Sequence, residues 1–570
     1  MIVECPLRMV IRPRTQLLTA LLALVVLAPS AGAWAEADER LMVSFADPPP
    51  SSEARERLAG LGTVTPTLPE AGIWTVRPGT KRTVRADALR RAGVKSAEWS
   101  LHHHSDELVK VPALPLPKKF GQPRDPLFRT GQQWGLLGKA YWAPRVAARS
   151  VRPRIAVLDS GIDPAHEEWK GRGADDSPLA AGRSTIRSSG RWQDWGVEGH
   201  GTHVAGVAAA PANGVGIVGV APAVRRQAEV IPVQIADRQG RSTDETMIKG
   251  IRWAVNRGAR VLNISAGGPG YSSAFQEAIY WATERGAVIV ASVGNEGAAS
   301  KGLVNYPAGY RRVIGVGAIC DGNPTTPDCE TDPNGVAAFS TRNRTVDLVA
   351  PGVNVLSSVP KRVKFRLISP GYARKDGTSM AAPFVAGAAA LVFANHPKLS
   401  AYQVRRQLTN TATDIERQGR DSASGWGIVN PEAASRFAAP PDDPHEVNDT
   451  LSRAHRLSLR TGGRSTIEAT VDRHDDPTDL YAVYLDRGDR VRARLTHDRG
   501  WVELRAWQPG VRRITRAKRA KGLLALGGKR RSGSASVLTV TRRAPKNGIY
   551  YVDVGARRGV SSYRLVIERR

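Results

Sequence analysis

The chain is poor in cysteine, in acidic side chains and in long apolar segments. Only three of its 570 residues are cysteine, and 82 lysines and arginines face 53 aspartates and glutamates, for a formal net charge of +29. The longest apolar run, residues 17–28, lies near the N-terminus, and no later segment approaches about 20 consecutive apolar residues. The pattern therefore predicts no transmembrane helix beyond the N-terminal region.

The N-terminus predicts a secretory signal over residues 1–33. Arg8, Arg12 and Arg14 precede the apolar run, and the small residues 31–33 follow it. A membrane anchor is the alternative, but the run is short for a bilayer. The predicted location is therefore extracellular, periplasmic or at the cell surface.

Removal of that leader would leave a single pair of thiols, Cys320 and Cys329. In an oxidising compartment they are expected to form a disulfide across a short loop. Two buried free cysteines are the alternative.

The excess of positive charge concentrates in one stretch, Arg512 to Arg531. Nine lysines and arginines fall there, with no acidic residue among them. The stretch also lacks the aromatic side chains on which bases stack, so it does not favour nucleic acid. We expect attachment to an anionic polymer or surface; a solvated loop without a partner remains open.

A chain of this length exceeds one hydrophobic core. Residues 34–123 predict a small α+β unit of ferredoxin-like order followed by a linker. In residues 124–438, apolar strands alternate with helices that end at a glycine; the predicted helices 243–257 and 273–285 are examples. This alternation indicates a parallel α/β sheet. Residues 439–570 predict short alternating strands in a β-sandwich.

Three short segments within the α/β region carry complementary chemical groups. They are Asp-Ser-Gly-Ile-Asp at 159–163, His-Gly-Thr-His at 200–203 and Gly-Thr-Ser-Met-Ala at 377–381. A serine hydroxyl becomes a useful nucleophile when an imidazole takes its proton and a carboxylate orients that imidazole. Asp159, His200 and Ser379 supply such a set.

These segments resemble those of the subtilisin-like serine proteases, over most of residues 125–438. The order aspartate, histidine, serine is the one given for subtilisin in general accounts of such triads. The resemblance implies an α/β fold and peptide-bond hydrolysis through an acyl-enzyme. It makes Asp159 the orienting carboxylate, His200 the general base and acid, and Ser379 the nucleophile, with His203 structural.

The same resemblance assigns two further elements of the cleft. Asn295, in Gly-Asn-Glu-Gly, would donate its amide to the oxyanion beside the Ser379 backbone N–H. Ser265, Ala266, Gly267 and Gly268 would form the strand that pairs with an extended substrate. Ala266 stands where the family often has leucine, which implies a roomier subsite.

A structural calcium site is a further expectation from the resemblance. Residues 213–222 resemble a loop that offers Asn and carbonyl ligands in many such proteases, here Asn213, Val215 and Ile217. Glu168 falls where the family often has an aspartate ligand, with Gln132 or Gln133 as another candidate. A loop that closes without a metal remains open, and the chemistry itself requires no cofactor.

The flanking units resemble family accessories. Residues 38–100 resemble the inhibitory propeptide of these proteases, with a permanent N-terminal domain as the alternative. Residues 446–450, 479–481 and 548–552 resemble the pre-peptidase C-terminal domain. The sequence thus predicts a secreted serine endopeptidase, made as a self-processed zymogen inhibited by its own propeptide and acting on protein or peptide substrates. A processing protease with few targets, and a binding or adhesion protein whose protease fold serves only self-maturation, are the alternatives.

Overall fold

The computed structural model describes three successive units of the chain. The described residues are 37–45, 48–77, 89, 92, 94–105, 123–136, 152–170, 178–196, 198–221, 228–298, 302–363, 366–438, 440, 442–473, 476–497, 501–512, 514, 522–526, 536–558 and 560–570. The predicted signal segment, nearly all of the predicted helix 85–91 and most of the basic stretch lie outside them.

The first unit is a four-stranded antiparallel sheet with one described helix. Its elements are β1 (Ala37–Phe45), α1 (Ser51–Ala59), β2 (Thr63–Leu68), β3 (Ile73–Arg77) and β4 (Val94–Ser105). The strand order β4-β1-β3-β2 is that of a ferredoxin-like unit, as predicted. Helix α1 buries Ala54 and Leu58 against the sheet, because these residues are four apart and share one helix face.

The second unit is an α/β domain built on a parallel sheet of seven strands. Its helices are α2 (Pro126–Arg129), α3 (His200–Ala209), α4 (Asp244–Asn256), α5 (Ser273–Glu284), α6 (Thr378–Asn395), α7 (Ala401–Asn410) and α8 (Pro431–Arg436). Its strands are β5 (Arg154–Asp159), β6 (Arg183–Ser184), β7 (Glu229–Gln234), β8 (Arg241–Thr243), β9 (Ala259–Ile264), β10 (Ala266–Pro269), β11 (Val288–Ser292), β12 (Asn305–Tyr306), β13 (Val313–Ile319), β14 (Leu348–Pro351), β15 (Val355–Ser358), β16 (Leu367–Ser369) and β17 (Tyr372–Lys375).

The order of the parallel sheet is β14-β13-β11-β9-β5-β7-β6. Strand β5 lies between β7 and β9, so the chain crosses over the first strand and creates a switch point at its carboxyl end. Both faces of β5 are covered: Ile155 and Val157 belong to one hydrophobic core, Ala156 and Leu158 to the other. The sheet is therefore a central layer with helices on both sides.

Helix α6 is the buried axis of one of these layers. Residues 378–394 are all buried, and the helix packs on β9, β11, β13 and β14. Among the described residues it is the one helix long and apolar enough to cross a membrane, and 94% of it lies inside the protein. Its hydropathy is thus that of a core helix.

The third unit is a β-sandwich, as predicted. Its strands are β18 (His455–Leu457), β19 (Arg464–Asp472), β20 (Thr478–Leu485), β21 (Arg490–His497), β22 (Trp501–Trp507), β23 (Leu523–Leu526), β24 (Ser536–Arg543), β25 (Gly548–Arg558) and β26 (Val560–Arg569). One sheet has the order β18-β20-β25-β22-β23 and the other β19-β26-β21-β24. Strand β23 falls within the basic stretch, on the edge of the first sheet.

The first and second units share one sheet. Strand β4 pairs with β1 at its start and continues far enough to pair with β8 and β10 of the α/β domain. Met42, Leu68 and Ile73 of the first unit also join the hydrophobic core formed around α4 and α5. The N-terminal unit is therefore docked through both backbone and side chains.

Candidate active site

Asp159 and His200 meet at the carboxyl edge of the parallel sheet. Asp159 is the last residue of β5, and His200 is the first residue of α3. The imidazole Nδ1 donates to both carboxylate oxygens, at 2.8 Å and 3.0 Å, and the side chains are 4% and 2% exposed. With Nδ1 committed to Asp159, Nε2 is the nitrogen left to exchange a proton with a substrate or nucleophile.

The start of α3 is anchored by a second carboxylate, Asp194. It accepts hydrogen bonds from the Ser160 hydroxyl at 3.0 Å and from the Thr202 hydroxyl at 2.6 Å and backbone N–H at 3.1 Å. Burial raises the pKa of Asp194 from its ordinary value. The group thus joins the residue after Asp159 to the first turn of α3 and fixes the pair.

His203 occupies a different environment from His200. Its Nε2 donates to the Val355 carbonyl at 3.0 Å, and the side chain is fully buried. Burial lowers the pKa of His203 well below its ordinary value. A neutral imidazole hydrogen-bonded to a core strand fits the structural role expected for it.

Ser379 stands in the first turn of α6, where the helix dipole is positive. Gly377 precedes the helix with φ 140°, a conformation that side-chain-bearing residues rarely adopt. The Ser379 hydroxyl donates to the Ser265 carbonyl at 3.1 Å, and the Ser265 hydroxyl donates to the Ser379 carbonyl at 2.9 Å. Ser265 therefore lies beneath the nucleophile candidate and precedes the strand β10 instead of forming part of it.

Asn295 follows β11, and its side chain is hydrogen-bonded to the residue before Ser379. Its Oδ1 accepts from the Thr378 backbone N–H at 2.9 Å and from the Thr378 hydroxyl at 3.0 Å. Its Nδ2 is buried, and no described residue accepts a hydrogen bond from it. Thr378 thus fixes the orientation of the carboxamide through two hydrogen bonds.

Strand β10 carries the other predicted cleft residues, and the N-terminal unit already pairs with it. Ala266 pairs with Ser105 and Gly267 with His104, while Gly268 pairs with Tyr306 on the other side. A Cβ on Gly267 would lie 2.8 Å from the Tyr306 carbonyl oxygen, so the close approach of these strands requires glycine.

The opposite edge of the segment 102–105 is held by β8. His102 pairs with Thr243, His103 with Ser242 and His104 with Arg241, all antiparallel. The tail of the N-terminal unit therefore lies as the middle strand between β8 and β10. This is the geometry by which an extended peptide adds to a sheet edge.

The predicted calcium loop brings two buried carboxylates together. Glu168 accepts from the Ile217 N–H at 2.7 Å, and Asp125 accepts from the Asn213 and Gly214 N–H groups at 3.1 Å and 3.0 Å. The second oxygen of each carboxylate is buried, and no described residue donates a hydrogen bond to it. Burial, with the Asp125 charge as a smaller cause, raises the pKa of Glu168 to about 9.

These residues fit a cation, because a positive ion would satisfy both unpartnered oxygens and offset the repulsion between the carboxylates. The Asn213 Oδ1 accepts from the Val215 N–H at 2.9 Å and shapes the loop. Gln133 instead contacts the Val218 backbone, donating to its carbonyl at 2.8 Å and accepting from its N–H at 2.9 Å.

The two thiols of the loop between β13 and β14 are bonded. Cys320 and Cys329 form a disulfide with Cα atoms 5.6 Å apart, within the range of ordinary disulfides. The predicted pairing is present in the structure.

Sequence reasoning missed three residues of this region: Asp125, Asp194 and Thr378. Thr378 directly precedes Ser379, so the sequence did show a second hydroxyl beside the candidate nucleophile. Asp125 and Asp194 carry no local signal: the partners of Asp125 are backbone N–H groups almost 90 residues away, and Asp194 contacts two hydroxyls that lie 8 and 34 residues away in the chain.

Comparison with known proteins places the central unit. The model of the subtilase family (Peptidase_S8) matches residues 152–427. Subtilisin BL of Lederbergia lenta is 40% identical over 283 residues, 50% of this chain and 90% of the relative. Subtilisin DY of Bacillus licheniformis is 37% identical over 289 residues, 50% of this chain and 92% of the relative.

A solved structure extends the likeness in fold to nearly the whole chain. Fervidolysin from Fervidobacterium pennivorans, described as a keratinolytic enzyme related to subtilisin, superposes with a TM-score of 0.61 at 21% identity. The superposition covers 94% of this chain and 93% of fervidolysin, so both flanking units are included in it. The identity and coverage shared with the subtilisins show that the chain belongs to the subtilase family and is a subtilisin-like serine endopeptidase.

Proposed function

We propose that the chain is a secreted zymogen whose endopeptidase uses Asp159, His200 and Ser379 as a catalytic triad. The single observation that carries this proposal is the Asp159–His200 hydrogen bond, which orients an imidazole on α3, a helix that packs against the helix carrying Ser379. In the proposed step, Ser379 Oγ turns from the Ser265 carbonyl, gives its proton to His200 Nε2 and attacks the peptide carbonyl. His200 then returns the proton to the leaving amine.

The developing oxyanion would be met by two donors. Asn295 Nδ2 is one, since it is buried, oriented by Thr378 and unpartnered among the described residues. The Ser379 backbone N–H is the other, because N–H groups in the first turn of a helix have no acceptor within the helix. Donors fixed in advance cost no reorganisation as the charge forms.

The N-terminal unit would act as an intramolecular inhibitor. The support is the position of residues 102–105 as a strand between β8 and β10, where an extended substrate is expected. Side chains hold the unit down as well: Arg252 Nε donates to Glu70 at 2.8 Å, and Arg40 pairs with Glu245. Secretion remains a proposal that rests on the leader-like N-terminus and on the subtilisin relatives.

Calcium would bind between Asp125, Glu168 and Asn213. Its contribution would be structural: the positive charge would hold the loop after α3 against Asp125, which precedes β5, and Glu168, which follows it. The bound ion plays no part in the proton transfers.

A fluorophosphonate probe combined with casein hydrolysis tests the catalytic assignment. We expect the processed protein to hydrolyse casein and to carry the probe on Ser379, and the Ser379→Ala variant to do neither. Labelling of Ser379 without hydrolysis of any added protein would contradict the endopeptidase proposal and favour a fold that serves only self-maturation.

The inhibitory assignment is tested by the rate of activation. Arg40→Ala combined with Arg252→Ala removes two ionic contacts of the docked unit, and we expect this variant to gain activity sooner after synthesis than the parent. Arg55→Ala, exposed on α1, is the matched control. Equal lag times for all three proteins would contradict inhibition through this docking surface.

A further inference from the structure

A second group of carboxylates lies outside the candidate active site, at the seam between the α/β domain and the sandwich. Asp443, Glu446, Asp476 and Asp479 each offer a carboxylate oxygen, and these oxygens all lie within 4.8 Å of one another. Asp476 and Asp479 are fully buried, and Asp443 is 4% exposed. We call this group the seam cluster.

The hydrogen bonds around the seam cluster leave several oxygens unsatisfied. Asp443 accepts from the backbone N–H groups of His445 at 3.0 Å and Thr470 at 2.9 Å. One oxygen of Asp479 accepts from the Tyr563 hydroxyl at 2.5 Å. Among the described residues, no hydrogen-bond donor reaches the other oxygen of Asp479 or either side-chain oxygen of Asp476, although all three oxygens are buried.

Among the described residues, fewer positive groups than carboxylates meet at the seam cluster. Arg312, contributed by the α/β domain just before β13, places Nη2 3.2 Å from Asp449 and 3.6 Å from Asp476 and pairs with Glu446. Arg311, about half exposed, adds a second guanidinium 3.6 Å from Asp449. Two guanidinium groups, one of them buried, thus stand against five carboxylates, the four of the seam cluster and Asp449.

The pKa values of these carboxyl groups are raised by their burial and by their mutual repulsion. Burial first, and the neighbouring carboxylates second, raise the pKa of Asp443 to about 7 and those of Asp476 and Asp479 well above their ordinary values. Groups arranged in this way favour an additional cation.

A cavity gives an ion a route to the seam cluster. It measures about 200 Å³ and is lined from both sides of the seam, by Arg312 and Tyr402 of the α/β domain and by Asp443 and Glu446 of the segment entering the sandwich. The space also accommodates water molecules, which could complete a coordination shell.

We propose that the seam cluster binds a divalent cation, calcium in view of its all-oxygen donor set, and that this ion acts with Arg312 to hold the sandwich against the α/β domain. Hard cations of variable coordination prefer carboxylate oxygens, and the described donors include no thiolate. Binding would draw together Asp443 and Glu446, which precede the sandwich, and Asp476 and Asp479, which flank the start of β20. The site is separate from the proposed calcium loop at Asp125 and Glu168.

The experiment uses the full chain carrying Ser379→Ala, so that it cannot digest itself. Calcium stoichiometry is measured by equilibrium dialysis after chelator treatment, and thermal unfolding by calorimetry with and without calcium. Asp125→Asn with Glu168→Gln removes the loop site, and Asp476→Asn with Asp479→Asn removes the seam site. Asp486→Asn, on an exposed turn of the same sandwich, is the matched control.

We expect the loop variant to retain at least one bound calcium and the seam variant to bind one fewer than the parent. Calcium should raise the melting temperature of the sandwich in the parent, in the loop variant and in Asp486→Asn, but not in the seam variant. An unchanged stoichiometry in a folded seam variant would overturn the proposal. If the seam variant does not fold, the loop variant alone decides, because zero bound calcium there would overturn it equally.

Discussion

The orientation of Asn295 by Thr378 makes a quantitative prediction. Asn295→Ala removes a donor from the oxyanion, and loss of one such donor typically lowers kcat by about 10²–10³, or about 2.7–4 kcal/mol. Since the contact forms with the charge of the transition state, KM should change far less than kcat.

Thr378→Val should act through Asn295 and more weakly. It removes one of the two hydrogen bonds to Asn295 Oδ1 and leaves the backbone N–H in place. A net hydrogen bond contributes about 0.5–1.5 kcal/mol, so kcat should fall by about 2- to 13-fold. Thr378→Ser keeps the hydroxyl and is the matched control, with kcat near that of the parent.

The effects of Asn295→Ala and Thr378→Val on kcat should not be additive. With alanine at position 295 the oxygen that Thr378 orients is absent, so Thr378→Val should lower kcat no further. The bond from the Gly294 N–H to the Thr378 hydroxyl is lost in both backgrounds and cancels in the comparison. The assay is steady-state hydrolysis of a peptide substrate by the four proteins of the double-mutant cycle. Equal effects of Thr378→Val in both backgrounds, or a change in KM alone for Asn295→Ala, would refute the reasoning.

Three further predictions concern maturation, metal and pH. Ser379→Ala should accumulate as a species that starts near residue 34, and normal processing of the purified variant by itself would show that another group cuts the chain. Removal of calcium with a chelator should lower the melting temperature of the α/β domain. The lost free energy of unfolding should be about 2.7 kcal/mol if calcium had been present at 100 times its Kd. Asp125→Asn with Glu168→Gln should abolish that response. His203 should contribute to acid sensitivity, because its pKa is lowered in the folded protein and the unfolded chain therefore binds a proton there first. The free energy of unfolding should fall as pH drops below about 6.5, by at most about 1.4 kcal/mol per pH unit. Denaturant unfolding of Ser379→Ala protein from pH 7.5 to pH 5 measures this slope, which His203→Gln should make shallower; an unchanged slope would assign the effect to other groups.

Local sequence pattern was sufficient for the elements of the α/β domain. The helix expected over 243–257 is observed as α4, Asp244–Asn256, because Thr243 caps it by accepting from the Thr246 N–H at 3.3 Å. The expected strand at 155–158 is the core of β5. Apolar periodicity and glycine punctuation act over a few residues, so one sequence shows them directly.

Contacts between distant segments could not be predicted in the same way. The sequence predicted a linker after the first unit, whereas the pairing of β4 with both β8 and β10 joins segments more than 130 residues apart. Of the two expected glutamines, Gln133 binds the Val218 backbone, and Asp125 is the carboxylate whose charge acts on Glu168. In the sequence, residues 446–450 carried only a resemblance to an accessory domain, because the members of the seam cluster come from two separate stretches that meet only in the folded protein.

The strand β4 has a consequence for the time course of activation. A strand that is hydrogen-bonded along both edges leaves two open edges when it departs, and open edges attract any extended chain, including the released module itself. On the proposed zymogen function, cutting the connection between the module and the enzyme would therefore leave the cleft occupied until an enzyme molecule that is already free degrades the module. Activation would then be a reaction between molecules, with a lag that shortens as protein concentration rises.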